Sequence, residues 1–185
     1  ESEGSRCDSF KSGGVAFNTA VTNDKSLSAI EKEALINARA SMTFKCDNPT
    51  PQNTQADGFF SGSSPTAEAK EFGVYLSGAK AFYEGSFDYA NEQFKKLSES
   101  KNVWLRETAT YMVARSFLNK SQVGAFAELD GMARPKVTDN VSLKSADTQF
   151  RAYLSQYPKG IYASSAKGLL RRLYWLSGEP VEAAK

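Results

Sequence analysis

The chain has 185 residues, a formal net charge of +2, and a composition that is 41% apolar and 12% aromatic. That much core-forming material excludes wholesale disorder. The nearly balanced charge argues against a nucleic-acid binder, which carries a strong basic excess or a basic stripe, and no run approaches the ~20 apolar residues of a membrane-spanning helix.

Residues 1–25 are rich in Ser, Gly, Asn and Lys. Gly13-Gly14 is expected to break a helix there, which predicts an irregular lead-in with Phe10 and Phe17 as its anchors. Residues 26–44 read as a helix. Ser28 followed three residues later by Glu31 fits a capping box, and Leu27, Ile30, Ala34, Leu35, Ala38 and Met42 recur at helical spacing. Glu31, Lys32, Glu33 and Arg39 are assigned to the opposite, solvated side. Residues 47–65 are dominated by Pro, Gly, Asn and Ser and read as a long loop. Phe59 and Phe60 in its middle either fold back onto the core or offer an aromatic contact to a partner.

From residue 66 the pattern is helical almost to the end. Helices are expected over 66–84, 87–99, 103–119, 122–132, 143–157 and 161–176, with another starting at Pro180. Nothing alternates with period two over a useful length, so no sheet is expected. Asp147 with Arg151, and Glu92 with Lys96, are spaced to pair along a helix. The domain division is therefore 1–65, an irregular segment with one helix, and 66–185, a helical domain.

Chemistry has little to work with. There is no histidine, so neither a Ser-His-Asp nor a Cys-His nucleophile system can form. No phosphate-cradling loop, dinucleotide-binding glycine pattern or zinc motif is present. Carboxylate pairs such as Glu68/Glu71 and Asp88/Glu92 each lie on one helix face, which is ordinary surface charge. The expectation is a non-enzymatic protein that needs no cofactor and no metal.

The two cysteines, Cys7 and Cys46, flank the helix over 26–44. A disulfide between them would close a loop of roughly 40 residues and stabilise the fold by about 3–4 kcal/mol in the chain-entropy model. It would place the chain in an oxidising compartment. The alternatives are two free thiols in a cytosolic protein, or a lipid-bearing Cys7, against which the residues that precede it argue.

The centre of the chain is a repeat unit. Gly78, Gly85, Phe87, Ala90, Phe94 and Leu97 occur in the order of the tetratricopeptide repeat, which this stretch resembles. In that family a small residue on the first helix faces an alanine on the second, a glycine makes the turn, and aromatics follow it and close the pair. The first-helix aromatic is displaced by one, at Phe82. A second match is Ala146, Phe150, Tyr153 and Pro158, running on into Leu170, Tyr174, Gly178 and Ala183. Its phrase FRAYLSQYPKG is similar to repeats of bacterial envelope proteins of the Tol-Pal-associated and outer-membrane-assembly kinds. The unit between, 103–132, keeps an alternation of small and large residues at Ala109, Ala114, Phe117, Ala125 and Leu129. A loop over 131–140 containing Pro135 then departs from the family pattern.

The resemblance covers residues 66–185 and implies an all-α fold: stacked antiparallel helix pairs in a right-handed superhelix, with one extra N-terminal helix. It implies an interaction or assembly module of the bacterial cell envelope, periplasmic or otherwise secreted. Such a module would hold a peptide or partner helix in a groove lined by first helices. The contacts it suggests are Tyr75, Arg106, Arg115 and Arg172, with Phe59 and Phe60 on the loop. Residues 180–185 look like the opening of another second helix, which leaves an alternative: a helical accessory domain of a larger secreted enzyme whose active site lies outside this chain.

Overall fold

The computed structural model describes the backbone of residues 3–42, 65–126 and 135–178, and their side chains from residue 8 onward. Across these residues the protein is all-α, with no strand. The elements are α1 (Glu3–Asn23), α2 (Ala29–Ser41), α3 (Ala67–Tyr83), α4 (Phe87–Lys95), α5 (Val103–Ser121), α6 (Asn140–Gln156) and α7 (Ala163–Ser177). The chain forms two compact units, Glu1–Arg106 and Glu107–Lys185, which divide within α5. The division at 65/66 drawn from the sequence follows a change in composition instead.

In the first unit, α3 and α4 form a helical hairpin. Thr66 caps α3 by accepting the Ala69 N–H. At its far end Gly85 takes φ 84°, the left-handed region that glycine enters without a side-chain clash. The Ser86 N–H reaches the Ala81 carbonyl at 2.8 Å and the Gly85 N–H reaches the Phe82 carbonyl at 3.2 Å. This is the Schellman arrangement that satisfies the last carbonyls of a helix. Phe82 meets Phe87 just across the turn, and further from it the Phe94 ring lies over Gly78, so the two helices run antiparallel. A Cβ on Gly78 would stand 2.8 Å from that ring. The small residue at 78 thus leaves room for the aromatic at 94, and Ala90 is fully buried.

The irregular lead-in expected over 1–25 is not found: residues Glu3–Asn23 form α1. The glycine pair that was expected to break it faces the protein interior. Gly13 lies against the Tyr83 hydroxyl and Gly14 against the Arg39 guanidinium, so the missing side chains are room for α3 and α2 to approach. Packing offsets the ~1 kcal/mol each glycine costs a helix. The anchors are as expected. Phe17 is fully buried, stacked on Tyr75 and edge-on to Phe72 and Trp104, and Phe10 meets the Tyr83 ring edge-on.

Helix α2 has the capping box read from Ser28 and Glu31. Leu27 and Leu35 are buried and Glu33 is exposed as expected, but Glu31, Arg39 and Ile30 depart from the expected faces. The buried row is Glu31, Leu35 and Arg39, spaced four apart, while Ile30 is 75% exposed. Two charged residues are drawn inside because each ties α2 to another helix.

In the second unit, α6 and α7 pack as a pair. Asp139 caps α6 by accepting the Ser142 N–H and hydroxyl, and those bonds hold its carboxyl below the usual range. Arg151 donates to the Tyr174 hydroxyl, and that hydroxyl donates to Asp147 at 2.6 Å. The Asp147–Arg151 pair forms, as does Glu92–Lys96 on α4. The helix expected from residue 122 does not begin there. Residues 122–126 form turns around Gly124 at φ 72°, a conformation a helix cannot continue through. The rest of that predicted segment, the helix predicted from Pro180, and most of the 47–65 loop lie outside the described residues.

Candidate partner-binding face

Among the described residues, a buried carboxylate in each unit organises several elements. In the first unit it is Glu31. Its Oε2 accepts the Ser28 N–H and hydroxyl at 2.9 Å, and its Oε1 accepts the Thr66 N–H at 2.8 Å. The side chain thus closes the cap of α2 and holds the cap residue of α3. Backbone N–H groups of Thr66 and Ser28 pull its carboxyl down to about 2. Eight residues on, the buried Arg39 donates to the Phe10 carbonyl at 2.6 Å and lies over the Phe10 ring at 4.1 Å. Burial lowers its pKa from the ordinary arginine value.

In the second unit it is Glu107, which accepts the Tyr153 hydroxyl at 2.8 Å and the Ile161 N–H at 2.7 Å. The Tyr153 hydroxyl in turn accepts the Tyr162 N–H at 3.0 Å. Burial, with the Glu107 bond, pushes the Tyr153 phenol well above its usual value, so it stays protonated and keeps donating. Gly160 closes the turn, where a Cβ would meet Glu107, the Tyr153 hydroxyl and Tyr157. Tyr111 stacks flat on Tyr162 at 4.4 Å and shares a hydrogen bond with Ser165. These groups are bonded to one another inside the protein and position its helices.

The sequence-suggested contacts fall in different places. Tyr75 is buried among Phe17, Phe94 and Trp104. Arg115 is buried beside Tyr111 and Met112. Both are interior side chains, which corrects their assignment as surface contacts: polar and aromatic residues on a first helix were read as groove-lining, and packing claims these two. Arg106 is half-buried and donates to the Ser100 carbonyl at 2.6 Å. Arg172 is half-buried and donates to Gln122 at 2.9 Å. Phe59, Phe60 and Cys46, and with them the expected loop contact and disulfide, lie outside the described residues, as does the Cys7 side chain.

What the sequence reading missed is an exposed row on α7. Ser164, Lys167, Gly168, Arg171 and Trp175 are all exposed and, at 100° per residue, share one face of the helix. Trp175 is 50% exposed. The opposite face of α7 (Ala166, Leu170, Leu173) is buried. The helix carries no acidic residue. A signal existed in the order Lys167, Arg171, Trp175, spaced four apart. Among the described residues no group of acidic or sulfur side chains could hold a metal ion, and no helix is long and apolar enough to cross a membrane.

No protein-family model, curated protein or solved structure matches the chain.

Proposed function

We propose that this protein is a non-enzymatic interaction or assembly module that holds a peptide or partner helix on exposed faces of its helices. The observation that carries the reading is the α7 row. A half-exposed tryptophan aligned with two cations, on a helix whose other face is buried, matches the aromatic-plus-arginine composition of protein-binding surfaces. The α3–α4 hairpin, with Phe94 seated over Gly78, supports the resemblance to the tetratricopeptide pattern, and under that resemblance α7 is a first helix, the kind that carries contacts.

The test is affinity capture with the full chain. A partner retained by the wild-type protein is expected to be lost with the double variant Trp175→Ala, Arg171→Glu, whose melting temperature stays unchanged because both side chains are exposed. Equal recovery with both baits overturns the reading.

The cysteine pair favours an extracytoplasmic, envelope or secreted setting within this proposal. A thiol titration of the denatured, non-reduced protein tests it: no free thiol is expected, and two free thiols would place the chain in a reducing compartment.

A further inference from the structure

We infer that the α7 face receives an acidic amphipathic helix, docked as α4 is docked on α3. The inference deepens the interaction reading and rests on it. Helices α3 and α7 end alike, each at a glycine in the left-handed region: Gly85 at φ 84° and Gly178 at φ 76°. Counting back from those glycines gives a common register. Gly78 and Phe82 stand seven and three residues before Gly85, and Arg171 and Trp175 stand seven and three before Gly178.

On α3 both positions are covered by the next helix, Gly78 by the Phe94 ring and Phe82 by Phe87. On α7 both are exposed. Gly168, one turn before Arg171 on the same row, has nothing within 4 Å of where a Cβ would stand. The described structure therefore gives no packing reason for a glycine inside α7, whereas the space at Gly78 of α3 is filled by an aromatic ring.

The side chains at the shared positions indicate what would fit. Where α3 has a glycine and takes an aromatic, α7 has Arg171, with Lys167 four residues earlier. Among the described residues neither cation has an ion-pair partner. A docking helix needs an apolar residue to cover Trp175, as Phe87 covers Phe82, and an aspartate or glutamate seven residues on, where α4 has Phe94. Charge complementarity selects an acidic helix over a neutral or basic one.

The probe is a synthetic helical peptide of about 20 residues, long enough to hold a helix when stapled, with a leucine and a glutamate at that spacing. It is titrated into the full chain and followed by Trp175 emission, read as the difference from Trp175→Phe. Saturable binding with a blue shift is expected. The glutamate-to-glutamine peptide and the Arg171→Glu protein should each bind about tenfold more weakly, the effect of one interfacial charge pair, and a lysine peptide should recover affinity for Arg171→Glu.

Several results would overturn the inference. One is equal binding of the acidic and glutamine peptides, or no binding at all. Another is Trp175 emission already blue and shielded from iodide in the free chain, which would mean residues beyond Gly178 cover the face. A third is a dimer that dissociates on Arg171→Glu, which would make a second copy the occupant. If peptide binding fails while capture is still lost in the double variant, the acidic-helix chemistry is wrong and the interaction reading survives.

Discussion

The Glu31 carboxylate accepts the Thr66 backbone N–H at 2.8 Å, joining the starts of two helices 35 residues apart in sequence. A capping carboxylate normally serves one helix. Here the second oxygen closes the capping box of α2 while the first holds the cap residue of α3. The position of α3 in the first unit thus depends on the charge of one α2 side chain.

Glu31→Gln is accordingly expected to destabilise the protein by about 1–3 kcal/mol at neutral pH, the cost of a weakened buried hydrogen-bond set. Because the folded carboxyl is depressed to about 2 from its ordinary value of 4.5, the ionised form is what the fold favours. The stabilisation is fully present above the unfolded value and is lost as pH falls through about 2. Denaturant titrations of both proteins from pH 7 down to the acid limit would check this. The difference between them should hold constant above pH 5 and shrink below it.

The two interior glycines compared above should respond in opposite senses to the same substitution. Gly78→Ala places a methyl group 2.8 Å from the Phe94 ring and should cost about 1–3 kcal/mol through overpacking. Gly168→Ala meets open space and should stabilise the isolated protein by up to about 1 kcal/mol through helix propensity. Thermal melts of the pair decide it.

The local signals that a sequence states directly were readable. Ser28 and Glu31 announced the start of α2, and Gly85 with Phe87, Ala90 and Phe94 announced the α3–α4 hairpin. What was hidden depends on neighbours distant in the chain. Gly13 and Gly14 look like breakers until Tyr83 and Arg39 are seen against them. Glu31 and Arg39 look solvated because charge is usually exposed, and only the Thr66 and Phe10 backbone groups explain their burial. Tyr75 and Arg115 look groove-lining from their first-helix positions, and only their packing against Phe17, Trp104 and Tyr111 explains their burial. The α7 row escaped notice because exposure of a tryptophan cannot be inferred from its spacing alone.

Arg39→Ala should loosen α1 selectively. It removes the bond to the Phe10 carbonyl and the contact with the Phe10 ring, a loss of about 2 kcal/mol. Hydrogen exchange should show reduced protection in α1, with α6 and α7 unchanged. Uniform loss across the chain would mean that Arg39 supports the whole fold.

In the second unit, Tyr153→Phe takes away the hydroxyl that donates to Glu107 and accepts from Tyr162. A cost of about 1–3 kcal/mol is expected, since Glu107 is left buried with a donor missing. Gly160→Ala crowds Glu107, the Tyr153 hydroxyl and Tyr157 and should cost at least as much. Because both act on one network, the double variant should fall short of the sum of the single effects, and a double-mutant cycle by denaturant unfolding measures the shortfall.

The interaction function itself is tested most directly by photo-crosslinking in the native cell with a benzophenone amino acid at position 175. The account predicts a discrete protein adduct that disappears with Arg171→Glu and does not form from position 141 on α6, where Val141 is also exposed. Identical adducts from both positions, or an adduct at 175 that Arg171→Glu leaves intact, would contradict it.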